Sequence, residues 1–173
     1  MTTFEQVFRP HLDAAYNLAR WLTLDGRDAD DVIQEACLRA LRFFPGFRGG
    51  DARAWLMRIV RNTCFTWMRA NRPLQVAEDP ELLADQKRGP EDIAMQEDSK
   101  ALIGKALERL SPDFREMIVL REMEELSYRE IAQVTGVPMG TVMSSLSRAR
   151  GRLRRALIEL GKENGDGPDA IPA

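Results

Sequence analysis

Histidine and cysteine are scarce in this chain: His11 stands alone, and the thiols are Cys37 and Cys64. A single histidine beside Pro10, with no Cys/His cluster, glycine-rich phosphate loop or nucleophile motif, offers no basis for a metal centre or an acid–base pair. No enzymatic activity, cofactor or metal is therefore expected. Both cysteines fall within helical apolar patterns, so they read as buried reduced thiols and not as a disulfide. No apolar run approaches the roughly 20 residues that span a bilayer. The start, MTTFEQVFRP, lacks the basic-then-apolar layout of a secretion signal. The expectation is a cytoplasmic protein without membrane insertion. The DGRDADD run is acidic but is no calcium loop, because glycine stands second and no D-x-D-x-D-G alternation appears.

Charge of one sign is also missing from the whole, but not from the parts. The net charge of −2 hides a balance of +3 over residues 1–72, from 11 basic and 8 acidic groups. Residues 73–99 carry 2 basic and 8 acidic groups, and residues 141–155 carry five arginines and no acid. Binding follows the local field, so locally basic surfaces remain open to nucleic acid. The acidic segment holds Pro73, Pro80, Gly89 and Pro90 and few apolar groups, too little to fold alone, and reads as a flexible linker. The remainder is hydrophobic enough, at 44%, for one or two small globular domains. The organisation expected is all-α, with helical domains at 1–72 and 99–161, an acidic linker at 73–98 and a disordered tail at 162–173.

The densest signal runs from Leu126 to Arg155. Ser127 and Glu130 are spaced as a capping box, and Ile131, Ala132 and Val134 supply the apolar side of a short helix. Gly136 stands where a tight turn needs positive φ, and Pro138 fits the first position of a new helix. Val142, Leu146, Ala149 and Leu153 then recur at helical spacing. The remaining surface carries Thr141, Ser144, Ser147, Arg148, Arg150, Arg152, Arg154 and Arg155. A short helix lying over a long one that presents hydroxyls and arginines has the layout of a major-groove reader.

The N-terminal part reads as three or four helices. Phe4, Val7, Phe8, Leu12, Ala15, Leu18, Ala19 and Leu22 form one amphipathic pattern, bent at Pro10. Asp28 is expected to cap the next helix, with Asp30 and Asp31 in its first turn, where the helix dipole favours anions. Along that helix Ile33, Ala36, Cys37, Ala40, Leu41 and Phe44 mark a core stripe, and Asp31, Gln34, Glu35, Leu38 and Arg42 run along the opposite side. A loop, FFPGFRGGDAR, leads into a long helix. Leu56, Ile59, Val60, Thr63 and Trp67 follow core spacing there, while Trp55, Arg58, Asn62, Phe65 and Arg69 share another side. Rings for base stacking, cations for phosphate and an amide for base edges are what single-stranded nucleic acid requires.

Taken together these stretches resemble the bacterial sigma-70-type initiation factors of the extracytoplasmic-function group. DADDVIQEACLRAL is similar to the family's polymerase-docking helix, FRGGDARAWLMRIVRNTCFTWMRANR to its −10 loop and helix, and RLSPDFREMIVLREMEELSYREIAQVTGVPMGTVMSSLSRAR to its −35 domain. The resemblance implies that Asp31, Gln34, Glu35 and Leu38 contact the β′ coiled coil of core RNA polymerase. It implies that Phe47, Arg48, Asp51 and Asn62 hold a flipped −10 base, with Trp55, Arg58 and Arg69 on the same strand-binding face. Thr141, Met143, Ser144, Ser147 and Arg148 would enter the −35 major groove, and Arg150 and Arg152 would lie on phosphates. Phe114, Met117, Ile118 and Leu120 would combine core residues with a docking face for the polymerase β flap. Promoter DNA is the implied ligand, and an anti-sigma protein an implied partner. Three positions depart from the pattern: Thr66 replaces a frequent Asp, Ser145 a common Arg, and Met143 a frequently basic residue. A stand-alone helix–turn–helix regulator is the alternative reading, and it would bind duplex DNA without polymerase.

Overall fold

The computed structural model describes residues 3–71 and 96–163, and all the regular elements among them are helical. The linker expected at 73–98 and the tail at 162–173 lie largely outside the described residues. Four helices form the N-terminal body: α1 (Phe4–Phe8), α2 (Leu12–Thr23), α3 (Gly26–Phe43) and α4 (Ala52–Asn71). Four form the C-terminal body: α5 (Gln96–Glu108), α6 (Pro112–Ile118), α7 (Tyr128–Thr135) and α8 (Met139–Glu163).

Thr3 caps α1 reciprocally with Gln6, and a 3-10 turn over Arg9–His11 makes the bend expected at Pro10. The cap of α3 is not Asp28 but Asp25, whose carboxylate accepts from the N–H groups of Arg27 and Asp28. The reason lies one residue earlier. Leu24 takes a left-handed φ of 61° and ends α2 abruptly, so the chain turns into α3 three residues sooner than expected. α2, α3 and α4 pack around Leu18, Leu22, Val32, Leu56, Met57 and Val60, all at most 1% exposed. At one end Phe4, Phe8, Phe44, Phe47 and Trp55 assemble an aromatic cluster, with Phe8 stacked on Trp55 at 5.0 Å between centroids.

In the C-terminal body α8 supports both α5 and α6. Ser111 caps α6, which loosens into a π-helical turn over Val119–Met123 before the chain enters α7. Leu107, Leu120, Leu126, Ile131 and Leu146 fill the core. The two bodies touch: α4 lies against α7, and α2 against α6.

Candidate nucleic-acid interface

The helix–turn–helix opens on the capping box that its sequence suggests. Ser127 Oγ accepts from the N–H of Glu130 at 3.0 Å, and Glu130 Oε1 accepts from the N–H of Ser127 at 3.0 Å. Gly136 ends α7 with φ of 79°, a conformation that favours a residue without Cβ. Pro138 sits one residue ahead of the expected place: its carbonyl receives the N–H of Val142, and α8 begins at Met139. Val142, Leu146 and Ala149 are buried beneath α8, which leaves Thr141, Met143, Ser144, Ser147 and Arg148 exposed together on its outer side. At the helical period, Gly140, Ser144, Ser147 and Gly151 form the outermost ridge, flanked by Met143 on one side and Arg148 on the other.

Two arginines behave differently from the expectation. Arg152 is 7% exposed, with its guanidinium 5.7 Å from the ring centroid of Phe114, so it is part of the seam between α6 and α8. Its assignment to phosphate is corrected: the α6 packing that Phe114 anchors covers it. Arg150 is exposed but pairs with Glu122 at 2.8 Å.

The second candidate face lies on α4 and the loop before it. Asp51 caps α4, accepting from the N–H of Ala54 at 2.9 Å. Arg48, Arg58, Asn62 and Arg69 are exposed. Phe47 and Trp55 are half-buried in the aromatic cluster, so their rings brace the loop against α1 and are only partly free for stacking. Phe65 lies under the guanidinium of Arg61 at 4.2 Å.

Sequence periodicity did not reveal what covers one side of α4. Arg61 grips Glu116 of α6 through Nε at 2.9 Å and Nη2 at 3.1 Å. Arg53 donates to Glu130 at 2.9 Å, and Arg58 to the carbonyl of Gln133 at 3.3 Å. From the other body, Arg115 reaches across to the carbonyl of Leu22 at 3.3 Å and serves the C-terminal end of α2. Asn17 donates to Glu124 at 2.7 Å. These residues join elements far apart in the chain, a relation that no single-helix pattern contains.

The two acids at this seam are pushed in opposite directions. Burial raises Glu116 to about 7, although Arg61 pulls it back toward the ionised form. Burial also raises Glu130, but the Ser127 N–H and the Arg53 guanidinium favour its ionised form and hold the carboxyl well below its usual range. The thiol of Cys64, buried nearby, is pushed up to about 12 chiefly by burial.

Asp31, Gln34, Glu35 and Leu38 are all exposed on one side of α3, with Glu35 paired to Arg39 at 3.0 Å. Leu38 is 59% exposed. Leu41, expected in the core, is 54% exposed and extends the same apolar patch, because it lies about 100° round the helix from Ala40 and off the buried Ala29–Val32–Ala36–Ala40 line. The apolar face of α6 is different. Met117 and Ile118 are buried in α6, which packs on α2 and α8, Leu120 is buried in the π-helical turn that follows, and Phe114 is half-buried, so the docking face expected there is covered in this arrangement. Among the described residues no helix is long and apolar enough to cross a membrane.

A helical N-terminal body followed by a basic helix–turn–helix defines a class, and the family comparisons agree with it. Residues 7–73 match Sigma-70 region 2, and residues 100–153 match Sigma-70, region 4. The sigma-H factor of Pseudomonas aeruginosa is 36% identical, over 80% of this chain and 78% of its own. SigM of Mycobacterium tuberculosis is 36% identical over 89% and 76%. SigE of Mycolicibacterium smegmatis is 32% identical over 94% of this chain, which spans 65% of that relative's length. Among solved structures, the sigma factor RpoE of Bartonella quintana, in complex with the anti-sigma factor NepR, is similar with a TM-score of 0.69 and 29% identity. That likeness covers 89% of this chain and 96% of that one. CnrH in complex with the cytosolic domain of CnrY gives 0.59 and 26%, over 95% and 89%. The chain belongs to the ECF sigma factors of RNA polymerase.

Proposed function

We propose that this chain binds core RNA polymerase in the cytoplasm and directs it to promoters, reading the −35 duplex with α8 and capturing a −10 base with the loop and face of α4. The single observation that carries the reading is the outer side of α8. Thr141, Ser144, Ser147 and Arg148 stand exposed together at the start of a helix that a well-capped α7 holds in place. Such a helix start presents hydrogen-bonding groups to base edges in a major groove. Asp31, Gln34, Glu35 and Leu38 supply the polymerase contact, a polar stripe with an apolar centre that extends to Leu41. Phe47, Arg48, Asp51 and Asn62 form the −10 pocket, and Arg58 must leave Gln133 before it can serve a strand. No step consumes a nucleotide through this chain. Opening is favoured because the captured single strand is bound and the duplex is not.

The likeness to a sigma factor held by an anti-sigma protein supports a similar inhibitor for this chain. It would keep the two bodies in an arrangement where α4 is partly covered by α7. The test is run-off transcription from genomic fragments with purified bacterial core polymerase, with and without the protein. Transcripts that require the protein support the reading, and their start sites define the upstream elements. No stimulation, with tight binding to duplex DNA in the absence of polymerase, would refute it in favour of a stand-alone regulator.

A further inference from the structure

We infer that Met143 sets the base preference of the upstream duplex by packing on the methyl group of a thymine. This rests on the reading of α8 as the −35 helix. Met143 is 49% exposed and Met139, one turn before it, is 41% exposed. Both lie on the flank of a surface otherwise made of serine, threonine and arginine. A thioether donates no hydrogen bond and accepts only weakly, so Met143 cannot take the guanine edge as an arginine would. The apolar group that bases display in the major groove is the C5-methyl of thymine.

The neighbouring ridge makes the contact reachable. Gly140 has no side chain, and Ser144 and Ser147 have short ones, so the helix axis can approach the groove floor closely. The Ser144 hydroxyl folds back on the Thr141 carbonyl at 3.1 Å, which keeps the ridge low. Arg148, on the opposite flank, is the long donor suited to guanine. The helix start therefore divides its reading between an apolar side and a cationic side.

The experiment uses the full chain assembled with bacterial core polymerase. Promoter-length duplexes with a randomised upstream segment are selected for binding. Each enriched thymine is then replaced by uracil, which keeps the pairing and removes only the methyl. Uracil at one step should weaken wild-type binding about fourfold, the factor associated with one buried methyl-sized group. The loss should vanish in Met143→Ala and persist in Met143→Leu, which keeps an apolar side chain of similar size. A clear upstream element with no sensitivity to uracil, or a uracil effect that survives in Met143→Ala, overturns the inference and leaves the −35 reading standing. Failure of the wild-type holoenzyme to enrich any upstream element overturns both.

Discussion

Replacing Glu116 by glutamine probes the seam between the two bodies with a sign that depends on pH. The Glu116 side chain keeps 2% of its surface in water, against Arg61 at 20%. Its folded carboxyl ionises near 7, compared with 4.5 when free, because burial outweighs the attraction of Arg61. A group raised in this way contributes stability fully below its unfolded value and loses it as pH climbs through the folded one. The gap of about 2.5 units corresponds to about 3 kcal/mol, at 1.36 kcal/mol per unit. Glutamine has the shape of the protonated acid and never ionises. Its amide oxygen still accepts from Arg61, whose partial exposure keeps an unpaired guanidinium solvated. The two proteins should therefore melt together near pH 4, and Glu116→Gln should be more stable by about 3 kcal/mol at pH 8. At about 2–4 °C per kcal/mol for a chain of this size, the melting temperatures should separate by roughly 6–12 °C. Thermal melts followed by circular dichroism across that range read the difference directly, since other carboxylates cancel between the two chains. Parallel curves would refute the argument, because they would mean that Glu116 is solvated and the seam is open in solution.

Leu38→Glu places a charge in the centre of the exposed patch on α3, and should reduce capture by immobilised core polymerase at least tenfold with the melting temperature unchanged. Arg148→Ala should weaken binding to upstream duplex by about 1–3 kcal/mol with a loss of guanine preference; a uniform loss across sequences would place Arg148 on phosphate instead. Asn62→Ala should leave upstream binding intact and lower permanganate reactivity of unpaired thymines in the open complex. Equal reactivity would remove Asn62 from the base pocket. Ser127→Ala should cost about 1 kcal/mol in denaturant unfolding through loss of the α7 cap, and no change would contradict the observed box.

What the sequence revealed is what lies within one helix or one turn. The Ser127–Glu130 box, the positive φ at Gly136 and the buried Val142–Leu146–Ala149 line follow local rules of capping and period, and the structure has them. The polar stripe on α3 is equally local. The misses have a common origin in relations between elements. Asp28 stands just ahead of Asp30 and Asp31, as a cap would, but the left-handed turn at Leu24 gives that role to Asp25. Leu41 is apolar and is expected in the core, yet it is exposed, because the neighbours of α3 cover the Ala29–Val32–Ala36–Ala40 line and Leu41 lies about 100° away from Ala40. Arg152 looks like its neighbours in the arginine cluster until Phe114 of α6 is placed over it. The pairing of Arg61 with Glu116 spans 55 positions and leaves no trace in either helix. Phe47 and Trp55 carry the right chemistry for stacking, and only the aromatic cluster with Phe8 shows how much of each ring is already engaged.

Glu130 divides its two oxygens between different jobs, and this decides what separation of the bodies would leave behind. Oε1 fastens the first turn of α7 to Ser127, while Oε2 holds Arg53 of α4. Pulling the bodies apart breaks the second attachment and spares the first. The C-terminal body would then come away with α7 still capped at the end that faces α4. Separation of the bodies would therefore not require unfolding of α7, because its cap does not depend on the contact with α4.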